Sequence, residues 1–245
     1  MISKTKLKEL TAYRQQKRCD EEAVFVVEGP KMASEALLSG APVRVVCAVS
    51  EWMAVYGGKV QGAECYEVSQ SELERLSGMK SPSQVWMLVQ RGYTAEVPAQ
   101  RTGLVLALDR IQDPGNMGTM MRTADWFGVR RVVCSADTVD CYNPKVVQAS
   151  MGAIFRTKVE YVDLPHWLRE SGLPVYGASL RGIRLCEVEK PQGAAVLLIG
   201  NESRGISDEA MRAVSSPVLI PNLGSTAESL NAAVAAGILM NHFCN

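Results

Sequence analysis

Apolar residues along this chain come in short runs of strand length, separated by stretches with helical spacing. The opening, MISKTKLKELTAYRQQKR, puts Leu7 and Leu10 on one helical face, with Lys4, Lys6, Lys8, Arg14, Lys17 and Arg18 around it. That pattern predicts a basic amphipathic helix. AVFVVEG follows as a strand, then PKMASEALLSG as a helix with Pro30 near its start and Gly40 past its end. The strands VRVVCAV, ECYEV and QVWMLVQ, with the helix SQSELERLSG among them, complete a first alternating unit near Arg91. GYTAEVPAQRTG is polar, carries Gly and Pro, and has the composition of a linker.

A second alternation starts at Gly103. Its expected strands are LVLALD, RRVVCSA, RTKVEYVDL, PVYGASL, AVLLIGNE and PVLIPN. Its expected helices are NMGTMMRTADWFG, NPKVVQASMGA, PHWLRESG, SDEAMRAV and AESLNAAVAAGILMNHF. Apolar strand-length runs alternating with helices imply a parallel sheet covered on both faces. Two α/β domains are therefore expected, residues 1–93 and 103–245, joined by a linker at 94–102.

Composition narrows this picture only modestly. The chain has 245 residues, is 47% hydrophobic and 21% charged, and can bury a substantial core. Lys+Arg and Asp+Glu balance at 26 each, so positive charge toward a nucleic acid would have to be a local patch. Lys80, Arg91, Arg101, Arg130 and Arg131, with the opening helix, are the candidates. The seven cysteines are scattered, odd in number and lack a C-x-x-C, which fits reduced thiols in the cytoplasm. With only two histidines a Cys/His metal site is not expected. No apolar run reaches membrane-spanning length, and the N-terminus lacks the apolar core of a signal peptide.

Ligands of open α/β sheets sit beyond the carboxyl ends of the strands, so the loops there are where chemistry is sought. Three combine glycine with polar residues: DPGNMGTMMRTA, LLIGNESRGIS and VLIPNLGSTAESLNAAVA. Each residue has an ordinary structural use. Pro114 and Gly115 suit a turn and Asn116 a helix cap; Arg122 suits a solvated helix face and Glu202 an exposed turn. Ser225 and Glu228 have the spacing of a capping box for the last helix. Together, Asn116, Arg122, Glu202, Ser229 and Asn231 fall at one predicted sheet edge, as a small-molecule site requires. Neither G-x-G-x-x-G, G-K-[ST] nor G-x-S-x-G occurs. The residues by themselves leave an α/β ligand-binding enzyme, with a Rossmann-type nucleotide protein still open.

DPGNMGTMMRTADWFGV, LLIGNESRGIS and LIPNLGSTAESLNAAVAAGIL, in this order, closely resemble the three signature motifs of the SpoU/TrmH family of RNA ribose 2′-O-methyltransferases, in the SPOUT superfamily. FVVEGPKMASEALLSG and LERLSGMKSPSQVWMLVQ resemble the family's N-terminal substrate-binding domain, which is itself similar to RNA-binding ribosomal proteins. The resemblance implies a C-terminal trefoil knot, an exception to the rule that chains are un-knotted. It further implies S-adenosylmethionine held by the later two loops through Gly200, Ile220 and Leu230, and a homodimer; no metal is expected, on the scarcity of histidine noted above. Its RNA substrate would be ribosomal in preference to transfer RNA. By position Arg122, Asn116, Glu202, Ser229 and Asn231 match the family's catalytic set. Arg122 corresponds to a residue regarded as a general base. A guanidinium stays protonated, however, and suits a bidentate grip on a phosphate or a developing alkoxide better. The glycines of the first loop would let Asn116 and Arg122 face the RNA. Asn222 stands where methionine is common, and Ala232 and Ala233 where valine and serine are.

Overall fold

The computed structural model describes residues 2–79, 81, 84–95, 103–224 and 226–244. The chain divides into two compact units, one of Met1–Glu96 with Tyr142–Arg156, the other of Val97–Cys141 with Thr157–Asn245.

In the first unit, α1 (Lys4–Thr11) is capped by the Ser3 hydroxyl and buries Leu7 and Leu10. The single opening helix expected from the pattern is broken here. A 3-10 turn at Ala12–Arg14 and an extended Gln15 separate α1 from α2 (Gln16–Glu21), because Tyr13 turns inward and donates its hydroxyl to Glu22 at 2.6 Å. β1 (Val24–Glu28) leads to α3 (Pro30–Ser39), which ends at a left-handed Gly40 with φ 72°. β2 (Val43–Ala48) is followed by α4 (Ser50–Tyr56), a helix the apolar pattern does not mark. β3 (Glu64–Glu67), α5 (Gln70–Leu76) and β4 (Val85–Gln90) complete the unit, with a Ser69/Glu72 capping box starting α5. The sheet order is β1-β4-β2-β3, and only β2 and β3 run parallel. The first sheet is therefore mixed, where alternation alone implied parallel. Direction depends on where each connection re-enters the sheet, and β4 enters between β1 and β2 running against both.

The second unit begins with β5 (Leu104–Asp109), α6 (Pro114–Trp126) and β6 (Arg131–Ser135). Next come α7 (Pro144–Ser150) and a 3-10 turn at Ala153–Phe155, which belong to the first unit. There Phe25 packs on the Tyr142 and Phe155 rings, Gln148 donates to the Glu28 carbonyl at 2.9 Å, and Arg156 pairs with Glu35 at 2.6 Å. The second unit resumes with β7 (Lys158–Val162), α8 (Leu164–Glu170), β8 (Val175–Arg184) and β9 (Ala195–Gly200). It closes with α9 (Asp208–Met211), β10 (Ser216–Leu219) and α10 (Ala232–Cys244).

This sheet has the order β10-β8-β9-β5-β6-β7, and every neighbouring pair is parallel. β5 and β9 are buried along their whole length, as the unbroken runs LVLALD and AVLLIG require of strands covered on both faces. All six carboxyl ends therefore reach one edge. α10 is shorter than the sequence pattern implies, starting at Ala232. Glu228 lies exposed in the loop before it and Ser225 falls outside the described residues, so the expected capping box does not start this helix. Among the described residues no helix is long and apolar enough to cross a membrane, and no group of His, Cys, Asp and Glu is placed to hold a metal.

Candidate active site

The site grows from the carboxyl end of β5. Asp109 is buried there, and its carboxylate accepts the Ser207 N–H at 2.6 Å and lies 3.5 Å from Arg110 Nε. Arg110 takes a left-handed φ of 58°, unfavourable for a side-chain-bearing residue. It is held there at both ends: its N–H donates to Ser135 Oγ at 2.8 Å, and its carbonyl accepts from Asn201 Nδ2 at 2.7 Å. Asp113 then caps α6 by accepting the Asn116 N–H at 2.7 Å, with Pro114 in the first turn. Gly115 and Gly118 thus lie inside the helix rather than in a loop before it, and the cap is Asp113, not Asn116.

The second loop follows β9. Asn201 and Gly205 exchange backbone hydrogen bonds of 3.0 and 2.9 Å, closing a tight turn. Gly200 has no room for a side chain, since a methyl there would overlap the Gly205–Ile206 backbone. Asn201 Oδ1 accepts the Ser203 and Arg204 N–H groups, both at 3.0 Å, while its Nδ2 also reaches Glu202 Oε2 at 3.3 Å. This fixes the Glu202 carboxylate. Its Oε1 accepts from the Asp113 N–H at 3.3 Å and from Asn116 Nδ2 at 3.0 Å.

The third loop joins the same network. Asn231 Nδ2 donates to Asn116 Oδ1 at 2.9 Å, and Asn231 Oδ1 accepts the Ala233 and Val234 N–H groups at the start of α10. Asn231 is therefore the cap of α10. One directional chain runs from the α10 amides through Asn231 and Asn116 to the Glu202 carboxylate, and it ties all three loops together. Each link polarises the next, and the anionic end strengthens the series.

The other expected site residues stand apart from this chain. Arg122 is exposed on α6 and makes no hydrogen bond or ion pair among the described residues. It is six residues from Asn116, about 9 Å along the axis and a third of a turn away, so the two lie on different faces of α6. Ser229 is exposed and makes no hydrogen bond among the described residues. Gly200 ends β9, Ile220 follows β10 half-buried, and Leu230 is 49% exposed. Asn222 closes the third loop, donating to the Ala227 carbonyl at 3.2 Å and accepting the Gly224 N–H at 3.0 Å. Asp109, Asp113 and Asn201 help hold these loops in place, and the motif search passed over them. The Pro after Asp113 was a usable signal for a cap; nothing local announces the other two.

Much of the expected basic patch is already engaged. Arg130 pairs with Asp125, Arg131 with Glu160, Arg91 with Asp20, Arg18 with Glu22 and Lys6 with Glu64. Lys80 and Arg101 lie outside the described residues. Cysteine nucleophiles are disfavoured at the core positions, since burial pushes the Cys47 thiol up to about 12 and raises that of Cys134 as well.

Comparison with known proteins gives the family of the chain. A model of the SpoU rRNA Methylase family matches residues 103–241, and one of the MRM3-like substrate binding domain matches residues 4–86. The chain belongs to the SpoU rRNA methylase family. It is 31% identical to the 23S rRNA (guanosine(2553)-2'-O)-methyltransferase RlmP of Bacillus subtilis, over 97% of this chain and 95% of that one. Among solved structures, the AdoMet-bound rRNA methyltransferase from Sinorhizobium meliloti superposes with a TM-score of 0.86 at 28% identity, covering 99% of this chain and 95% of the other. The SpoU methyltransferase AviRb from Streptomyces viridochromogenes in complex with AdoMet gives 0.84 at 25% identity, covering 99% and 97%. The family member described here is an RNA 2′-O-methyltransferase that uses S-adenosylmethionine.

Proposed function

We propose that the protein methylates a ribose 2′-hydroxyl of 23S ribosomal RNA, in the cytoplasm, as a homodimer whose second unit carries a trefoil knot. The observation that carries the choice of RNA is likeness along both parts of the chain, since the substrate-binding match covers residues 4–86 and the RlmP match nearly the full length. Residues 1–93 act as the RNA-recognition domain in this scheme.

The residues of the second and third loops fit S-adenosylmethionine. Ile220 and Leu230 offer apolar surface of the kind an adenine needs, and the turn at Gly200 brings main-chain groups close. When bound, the cofactor supplies a methyl carbon on a positively charged sulfur, an electrophile for the ribose oxygen. The protein must align that oxygen and relieve it of its proton. Arg122, cationic and without a partner among the described residues, stabilises the negative charge developing on the oxygen or grips the neighbouring phosphate. Asn116, Glu202 and Asn231 hold the three loops in register, and Ser229 orients the hydroxyl.

The homodimer is supported by one exposed stripe. Gly115, Thr119, Arg122 and Trp126 line the solvent side of α6, and Trp126 is 85% exposed. On α10, Val234 and Ile238 are exposed one turn apart. A second copy would cover these apolar groups.

Labelled S-adenosylmethionine incubated with the protein and transcribed 23S rRNA is expected to mark one ribose, seen as a single linkage resistant to alkali. Label entering transfer RNA and not 23S rRNA would overturn the choice of target.

A further inference from the structure

β8 is longer than its neighbours need. It pairs with β10 through Tyr176 and Gly177, opposite Ser216 and Pro217, and then again through Ile183 and Arg184, opposite Val218 and Leu219. Two consecutive residues of β10 thus face residues six apart on β8, so Ala178–Gly182 bulges out of the ladder. The bulge has a defined shape. Ser179 Oγ donates to the Arg181 carbonyl at 2.9 Å and accepts the Arg181 N–H at 3.1 Å. Gly182 lies so close to the Pro217–Val218 backbone that no side chain would fit.

Arg181 in the bulge and Arg184, where the ladder resumes, are both exposed, and neither has a hydrogen bond or ion pair from its side chain among the described residues. Arg110, Arg130 and Arg131 of the same unit each have a carboxylate partner. The location is also specific. β8 is parallel to the rest of the sheet, so its far end lies at the edge where the three motif loops emerge. Arg184 is opposite Leu219, the residue before Ile220 and the third loop.

We propose that Arg181 and Arg184 form a second grip on the RNA backbone, binding phosphates beside the nucleotide being methylated. This rests on the RNA-methyltransferase function proposed above. Two guanidiniums on a shaped backbone, free of internal acids, match the spacing-tolerant, charge-driven contact that single-stranded RNA phosphates make. The exposed Leu180, just before Arg181, and Ile183, between the two arginines, offer apolar surface to an unstacked base or ribose.

The test compares wild type, the double variant Arg181→Ala/Arg184→Ala, and Arg169→Ala. Arg169 is an exposed arginine in the last turn of α8, at the opposite sheet edge. Binding to a mixed-sequence single-stranded RNA and to transcribed 23S rRNA is measured from 0.05 to 0.3 M salt. The double variant should bind roughly tenfold more weakly at low salt, with a log–log salt slope shallower by about 1.4–1.8. Its KM for RNA should rise while kcat at saturating RNA and S-adenosylmethionine affinity stay as in wild type. Unchanged affinity and slope, or an equal loss in Arg169→Ala, would overturn the proposal. If the double variant does not fold, Arg181→Gln alone at the tip of the bulge carries the same test. Wild type that binds neither RNA would sink the RNA-methyltransferase function as well, which separates the two failures.

Discussion

The two faces of α6 have opposite character. Toward the sheet it presents Met117, Met120, Met121, Ala124 and the buried Asn116, whose amide is satisfied by Glu202 and Asn231. Toward solvent it presents Gly115, Thr119, Arg122 and Trp126, and neither large side chain there has a polar partner among the described residues. A saturated polar network fixes geometry and has little capacity left for a ligand. An unpartnered cation beside a solvent-facing indole costs nothing while hydrated and is free to bind. The difference separates the residues that build the site from those that meet the substrate.

Replacing Arg122 tests the open face most severely. Arg122→Ala should lower methyl transfer by about 100- to 1,000-fold, the range for loss of a charge-stabilising donor. Its thermal midpoint should match wild type, because nothing folded depends on the side chain. Arg122→Lys keeps the charge and loses the planar fork, so an intermediate rate is expected. Near-normal methylation in both variants, with unchanged RNA affinity, would remove Arg122 from the mechanism.

The sequence conveys these two faces unequally. β5 and β9 are readable because a strand buried on both sides must be apolar throughout, and the end of α3 because Gly40 takes the left-handed turn. α4 is missed because it buries only Trp52 and so presents no apolar face of helical spacing. The mixed direction of the first sheet is not encoded in any strand by itself. The closed face of α6 is hidden for a related reason: Asn116 meets partners 86 and 115 residues away, and no local pattern marks such an amide as satisfied. Ser225–Glu228 carries a real capping signature and still loses to Asn231, which satisfies two α10 amides directly. Arg122 stands out in the sequence only through resemblance to the family, since a lone helix arginine is otherwise unremarkable.

Trp126 probes the same open face for a protein partner. If a second copy covers it, Trp126→Asp should raise the dimer dissociation constant at least about thirtyfold, the effect of a hot-spot aromatic worth about 2 kcal/mol or more. Sedimentation across a concentration series reads this directly. A variant that associates like wild type would leave the dimer interface elsewhere.

The smallest effect is expected on the closed face, from Glu202→Gln. Glutamine keeps one carbonyl oxygen, which can still accept from Asn116 Nδ2 and the Asp113 N–H. Its amide nitrogen then faces Asn201 Nδ2, so a donor meets a donor. Asn201 cannot turn over to relieve this, because its oxygen already holds the Ser203 and Arg204 N–H groups. The expected cost is about 1–2 kcal/mol, combining a charged acceptor lost and one part-buried N–H of Asn201 left without its partner. For a chain of this size that lowers Tm by about 2–4 °C per kcal/mol. Asn116→Ala should cost at least as much, since it takes one hydrogen-bond partner from Glu202 and one from Asn231. The double variant should lose less than the sum of the singles, because each change already breaks the same chain. Simple additivity would show that the two residues act separately, and that the three loops are held in register by packing rather than by this network.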